Sequence, residues 1–135
     1  MPNSDGRANS QPEGAHAEVG GSAAAAISDQ IVRLYLDSFG CGPTRARTFV
    51  QPQFAVCVLR DVLTTVERSL IAGGGEHDVE AGRLRINESI EAEYVGIIER
   101  ETGRPVLSHV ARTSATTDIA VHFFLFDESS SGSDL

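Results

Sequence analysis

Lysine is missing from these 135 residues, so all 11 cations are arginine, and tryptophan is missing too. Without lysine there can be no P-loop, which needs that residue after its last glycine. The two cysteines, Cys41 and Cys57, supply neither a disulfide framework nor a zinc spacing. No apolar run approaches the roughly 20 residues needed to span a bilayer, and no signal-peptide core is present. Direct membrane insertion and unaided transport across a membrane are therefore not expected. The cations are also outnumbered: 19 acidic residues give a net charge of −8. A general nucleic-acid binder needs the opposite balance to displace condensed counterions, so nucleic acid is not an expected partner.

The charge is unevenly spread. Residues 1–22 and 127–135 are poor in branched apolar side chains and rich in Gly, Ser, Asp and Glu. Segments of that kind cannot bury enough surface to offset their ordering entropy, so both are expected to be disordered tails. They hold five of the eight net negative charges, leaving −3 for a single folded domain at 23–126. Within it, residues 40–60 carry three arginines and no acid, whereas residues 61–101 carry ten acids and four arginines.

Helical spacing of Ile27, Ile31, Leu34, Tyr35 and Phe39 predicts a helix over 23–39, stopped by Gly40-Cys41-Gly42-Pro43. An alternating strand at 44–50 and a strand apolar on both sides at 54–59 follow across a Gln51-Pro52-Gln53 turn. Thr64 and Glu67 have capping-box spacing and open a short helix that ends at Gly73-Gly74-Gly75. A longer helix is expected over 78–102, with Ile86, Ile90, Tyr94, Ile97 and Ile98 buried and Gly82 and Gly96 marking close helix packing. Strands at 106–112 and 118–126 close the domain as a hairpin.

Helix-strand-strand thus occurs twice, which reads as an internal repeat. The expected fold is α+β: duplicated helix-strand-strand units forming a four-stranded antiparallel sheet, with helices packed on one face. The doubly apolar strands belong in its centre. If Ile119, Val121, Phe123 and Leu125 face the helices, then Leu107, His109, His122, Phe124 and Phe126 lie on the other face. An apolar patch of that size predicts an interface, and a homodimer is the expected assembly.

In this frame the chain resembles the MpsC-like family, named for a Na+-translocating, membrane-potential-generating system. The resemblance rests on Ile31 to Tyr35, on Gly40 to Arg47, and on Val62 to Glu67 with Leu70, Ala72 and Gly73. Thr102-Gly103-Arg104 and Asp118 to Val121 leading into Phe124 extend it over about 24–126. The chain departs from the family at Cys41, where a basic residue is usual, and at Ala111-Arg112, where the strand usually ends in an acid. The resemblance implies a non-catalytic cytoplasmic accessory or regulatory protein that binds protein partners, including those of a membrane complex. It implies no cofactor and no catalytic residue.

Three groups of residues are candidates for chemistry. Gly40 and Gly42 supply backbone amides beside Arg45 and Arg47, a set that suits a phosphate or carboxylate and would make a small anion- or nucleotide-binding module. Alternatively, both arginines pair with the acidic helices, the commoner fate of surface charge. If the last hairpin has a four-residue loop at 114–117, His109 stands directly opposite His122. Two ligands without a nearby carboxylate or thiol make a poor metal site, so no metal is expected and interface histidines are the plainer reading. Cys41 and Cys57 read as structural, and an enzyme would need a deep pocket converging on His109, His122 or Asp118.

Overall fold

A computed structural model describes residues 21–128. Eight elements succeed one another: α1 (Gly21–Phe39), β1 (Arg45–Val50), β2 (Phe54–Arg60), α2 (Thr65–Ala72), α3 (Glu76–Ser89), α4 (Glu91–Thr102), β3 (Val106–Ser114) and β4 (Ile119–Phe126). The four strands form one antiparallel sheet in the order β1-β2-β4-β3, so the two strands apolar on both sides occupy its centre, as expected. The fold is α+β, with α1 lying against β1, α3 and α4 against β3, and α1 touching α4.

Local chemistry accounts for the element ends. Ile27, Ile31 and Tyr35 recur every four residues and are fully buried, which sets α1 on the sheet. Gly40 ends it at φ +76°, a conformation that favours glycine, and its amide donates to the Leu36 carbonyl at 2.9 Å. Gly103 ends α4 in the same left-handed way. The capping box at α2 is formed: the Glu67 amide donates to Thr64 Oγ1 at 3.1 Å, and the Thr64 amide donates to Glu67 Oε1 at 2.8 Å.

Several expectations need correction. Gly21 and Ser22 belong to α1; the rest of the expected N-terminal tail, and the C-terminal tail beyond Glu128, lie outside the described residues. The helix expected over 78–102 is two helices that break at Ile90. The Ser89 hydroxyl donates to the Ile86 carbonyl at 2.7 Å, and acidic Glu91 and Glu93 then suit a new helix N-terminus. Ile86 is consequently exposed, and α3 buries Val79, Arg83 and Asn87 instead. Gly82 and Gly96 do not mark close packing: a Cβ at Gly82 would meet nothing within 4 Å, and one at Gly96 only the Arg100 side chain at 3.4 Å.

The largest correction concerns the faces of the sheet. Ala120, His122, Phe124 and Phe126 are fully buried beneath the helices, whereas Ile119, Val121, Phe123 and Leu125 point to the other side. The arginines explain the choice. Arg47, Val58, Val121 and Arg112 form one cross-strand row, and burying it would sink two guanidiniums. Burial of Phe124 and Phe126 instead contributes about 2–3 kcal/mol each.

The last hairpin is also shifted by two residues from expectation. Its closing pair is Ser114–Ile119, so His109 stands opposite Phe124 and Ala111 opposite His122. Asp118 causes the shift. It adopts φ +58° in the turn, donates its amide to Ser114 O at 3.0 Å, and accepts from the Val62 and Leu63 amides at 2.7 and 2.9 Å. A two-residue shift leaves side chains on their original faces, so the histidines remain neighbours. A bulge between Val106 and Ser108 separates Leu107 from that group and leaves it 62% exposed.

Candidate functional site

Four elements converge beneath the sheet to build a line of polar side chains. Tyr35 descends from α1, His122 rises from the central strand β4, His109 from the edge strand β3, and Glu91 opens α4. Tyr35 Oη lies 2.7 Å from His122 Nε2; His122 Nδ1 lies 2.9 Å from His109 Nε2; His109 Nδ1 lies 2.8 Å from Glu91 Oε2. The two imidazoles are nearly parallel, at 7°, and His109 also stacks on Phe124 with ring centroids 4.7 Å apart. The Tyr94 ring covers His122 at 4.3 Å, and its hydroxyl donates to Asn87 Oδ1 at 2.6 Å. Tyr35 and His122 have no exposed surface, the His109 side chain is almost fully buried, and the Glu91 side chain is half exposed.

The polarity of this relay follows from valence. A carboxylate only accepts, so His109 must donate from Nδ1. With a neutral ring its Nε2 then accepts, which makes His122 donate from Nδ1 and accept at Nε2 from the Tyr35 hydroxyl. Both rings are thereby assigned the Nδ1–H tautomer, and each ring nitrogen has a partner. The electrostatics favour neutral rings. Burial, and secondarily the neighbouring His109, push His122 down to about 3. Burial also lowers His109, against the opposing pull of the Glu91 hydrogen bond and charge. Burial raises both tyrosine hydroxyls well above their ordinary value.

Beside the relay sits a buried cation. Arg83 has a fully buried side chain that donates to Glu67 from Nε and Nη2, both at 2.7 Å, and from Nη2 to the Val62 carbonyl. Its guanidinium lies 3.8 Å from the Phe39 ring centroid and 6.0 Å from that of Tyr35. Burial alone would raise the Glu67 carboxyl, but the Arg83 and Thr64 hydrogen bonds and the Arg83 charge outweigh it and hold the group low. Glu67 therefore serves both as the cap of α2 and as the counter-ion of α3.

The opposite face of the sheet is different in kind. Phe49, Val56, Phe123 and Val110 form one cross-strand row; Arg47, Val58, Val121 and Arg112 form the next. Beyond them Arg45 stands directly opposite Arg60. Val110 is 59% exposed and Phe49 43%, and the Arg47 guanidinium lies 5.3 Å from the Phe49 ring centroid. Four arginines thus border an apolar centre, and no strand residue on this face is acidic.

The expected site residues divide accordingly. Arg45 and Arg47 lie on the open face of the sheet. Arg60 and Arg112 join them there, by cross-strand register rather than by any local motif. Gly40 and Gly42 lie in the connection that ends α1, and the Gly40 amide is already committed to Leu36. Of the expected interface group, His122, Phe124 and Phe126 are core residues, His109 is the relay's second imidazole, and Leu107 alone is well exposed. Neither Cys57, whose thiol burial pushes up to about 12, nor half-buried Cys41 takes part in the relay. Asp118 is occupied in holding the β3–β4 turn to the chain after β2, and Arg68 pairs with it at 2.9 Å. A shallow groove of about 430 Å³ between α1 and α4, lined by Gln30, Arg33, Asp37, Glu93 and Arg100, does not reach the histidines.

Among the described residues, no helix is long and apolar enough to cross a membrane. No curated protein and no solved structure matches the chain. Residues 20–128, which take in the whole of the domain just described, match the family described as the Na+-translocating membrane potential-generating system (MpsC), and the chain belongs to that family.

Proposed function

We propose that this chain is a non-catalytic cytoplasmic accessory domain of a Na+-translocating, membrane-potential-generating system, acting by protein–protein binding through the open face of its sheet. The observation that carries this reading is the face itself. Among the described residues, an apolar centre of Phe49, Val56, Val58, Val110, Val121 and Phe123, bordered by Arg45, Arg47, Arg60 and Arg112, is not covered by the helices, which pack on the other side. Aromatic residues and arginine are enriched in protein interfaces, and an uncovered patch of this breadth favours association. The first partner is a second copy, giving a homodimer that packs sheet on sheet.

Sedimentation velocity at micromolar concentration tests the assembly. The expected outcome is a dimer for the native chain and a monomer for Val110→Asp that still unfolds cooperatively, with a melting temperature that no longer depends on protein concentration. A native monomer retires the homodimer. A second reading is supported by the clustering of Arg45, Arg47 and Arg60 at one corner of this face: a small anion- or nucleotide-binding module, now using Arg60 rather than the Gly40–Gly42 amides. Titration with phosphate and nucleotides while following the melting temperature decides it, since no shift at millimolar ligand retires the module.

A further inference from the structure

The relay lies on the covered side of the sheet and has no part in the surface proposed above. We propose that Glu91, His109, His122 and Tyr35 form a pH-responsive lock that ties the protonation of His109, near the surface, to the docking of α1 on the sheet. Its basis is the one-way polarity of three consecutive hydrogen bonds, which spans α4, β3, β4 and α1. The two bonds made by His122 depend on each ring having one donor and one acceptor.

A proton taken from water by His109 Nε2 removes that acceptor. Two N–H groups, His109 Nε2–H and His122 Nδ1–H, then face each other across 2.9 Å. Relief has two routes. The rings can separate, or His122 can release its Nδ1 proton and take one at Nε2. The second route turns an N–H toward the Tyr35 oxygen and leaves the tyrosine hydroxyl hydrogen without its acceptor. By either route one proton has been gained and the imidazolium faces the Glu91 carboxylate; the first route breaks the His109–His122 bond, and the second reverses the Tyr35–His122 bond. The Tyr35–His122 bond ties α1 to the sheet, as does a bond joining the Ser28 and Thr48 hydroxyls at 2.8 Å.

The surroundings make His109 the proton's entry point. From α4 it faces Glu91 and Tyr94, and from β4 it faces His122 and Phe124. Arg83 of α3 and Cys57 of β2 lie at the Tyr35 end, where a guanidinium opposes a further positive charge. The carboxylate at the relay, that of Glu91, lies against His109. The lock is therefore closed at and above neutral pH and opens as the pH falls through the folded-state pKa of His109, which lies below its ordinary value.

Nuclear magnetic resonance of the full chain tests this. At pH 7.5 both imidazoles are expected in the Nδ1–H form, the less common tautomer of free histidine. On acidification, amide exchange in α1 should accelerate in step with His109 protonation while β2 and β4 amides remain protected. Glu91→Gln should lower the His109 midpoint by roughly one pH unit by removing the charge that favours imidazolium. Tyr35→Phe should let His109 titrate without the α1 response. Should Tyr35→Phe fail to fold, Glu91→Gln, at a half-exposed position, decides alone. An Nε2–H tautomer on either ring, or α1 exchange that rises only with global unfolding, overturns the lock.

Discussion

The two faces of this sheet are built from alternate residues of the same four strands, yet they treat polar groups in opposite ways. The covered face takes Tyr35, His109, His122, Asn87 and Arg83 into the interior and gives nearly every polar atom a partner. The open face leaves four arginines around an apolar centre and sets Arg45 directly against Arg60. Buried polar groups are costly unless satisfied, so the first face is organised for the fold itself. Like charges in direct cross-strand opposition are destabilising, so the second is not. One side holds the domain together, and the other faces away from the helices.

Breaking the covered face should have the largest effect. Arg83→Ala leaves the Val62 carbonyl and the Glu67 carboxylate without their cation and opens space under Phe39. The expected loss is about 3–5 kcal/mol by denaturant titration. Arg83→Met, which fills the volume without the charge, should still lose Glu67's counter-ion but recover part of the packing. An equal loss in both variants would show that the ion pair, rather than the packing, dominates.

Acid should separate the faces next. The sign follows from His122, whose folded pKa of about 3 is below its ordinary 6.5. Above pH 6.5 both folded and unfolded chains hold it neutral. Below 6.5 the unfolded chain takes up a proton that the folded chain refuses, so stability falls as pH drops toward the folded value. At pH 5 the loss from this one group is about 2 kcal/mol at 1.36 kcal/mol per unit. Urea titrations from pH 7.5 to 4.5 check it. His122→Leu should flatten the dependence, at the expense of leaving the Tyr35 hydroxyl unpaired. A slope unchanged in that variant would assign the acid lability to carboxylates instead.

The open face should respond in the reverse pattern. Val110→Asp, at a position 59% exposed, should change stability by less than about 0.5 kcal/mol. Its effect should appear in association, as the sedimentation experiment above would read.

The same contrast explains what was legible in the sequence. Periodicity located α1 and every strand, and the doubly apolar composition of Phe54–Leu59 and Asp118–Phe126 put β2 and β4 in the sheet's centre. That composition also concealed the direction of the sheet, because a strand apolar on both sides has no evident inward face. The arginines held the missing information: once Arg45 and Arg47 face solvent, cross-strand alternation carries Val121 and Phe123 out with them and His122 and Phe124 in. The histidine neighbourhood is visible in the sequence, but its register lies two residues from expectation because Asp118 is a turn residue rather than a strand residue. Tyr35 belongs to the apolar stripe of α1, and nothing in the local sequence distinguishes Glu91 and Arg83 from other charged helix residues. Their partnerships join residues 16 to 87 positions apart, and no local pattern encodes them.

The smallest effect is the one whose sign decides most. Arg45→Glu replaces a like-charge pair with Arg60 by an opposite-charge pair on an exposed edge strand. Cross-strand pairing should then stabilise the fold by about 0.2–1 kcal/mol, and the gain should shrink as salt is raised. Both arginines are exposed, where solvent screens their charges, so the lower end of that range is expected. Thermal denaturation at two salt concentrations reads the result. A more stable Arg45→Glu variant means that the native corner is held at a cost to the fold, as a surface kept for an acidic or anionic partner would be. A less stable one means that Arg45 serves the sheet, and the division between the two faces would have to be redrawn at that corner.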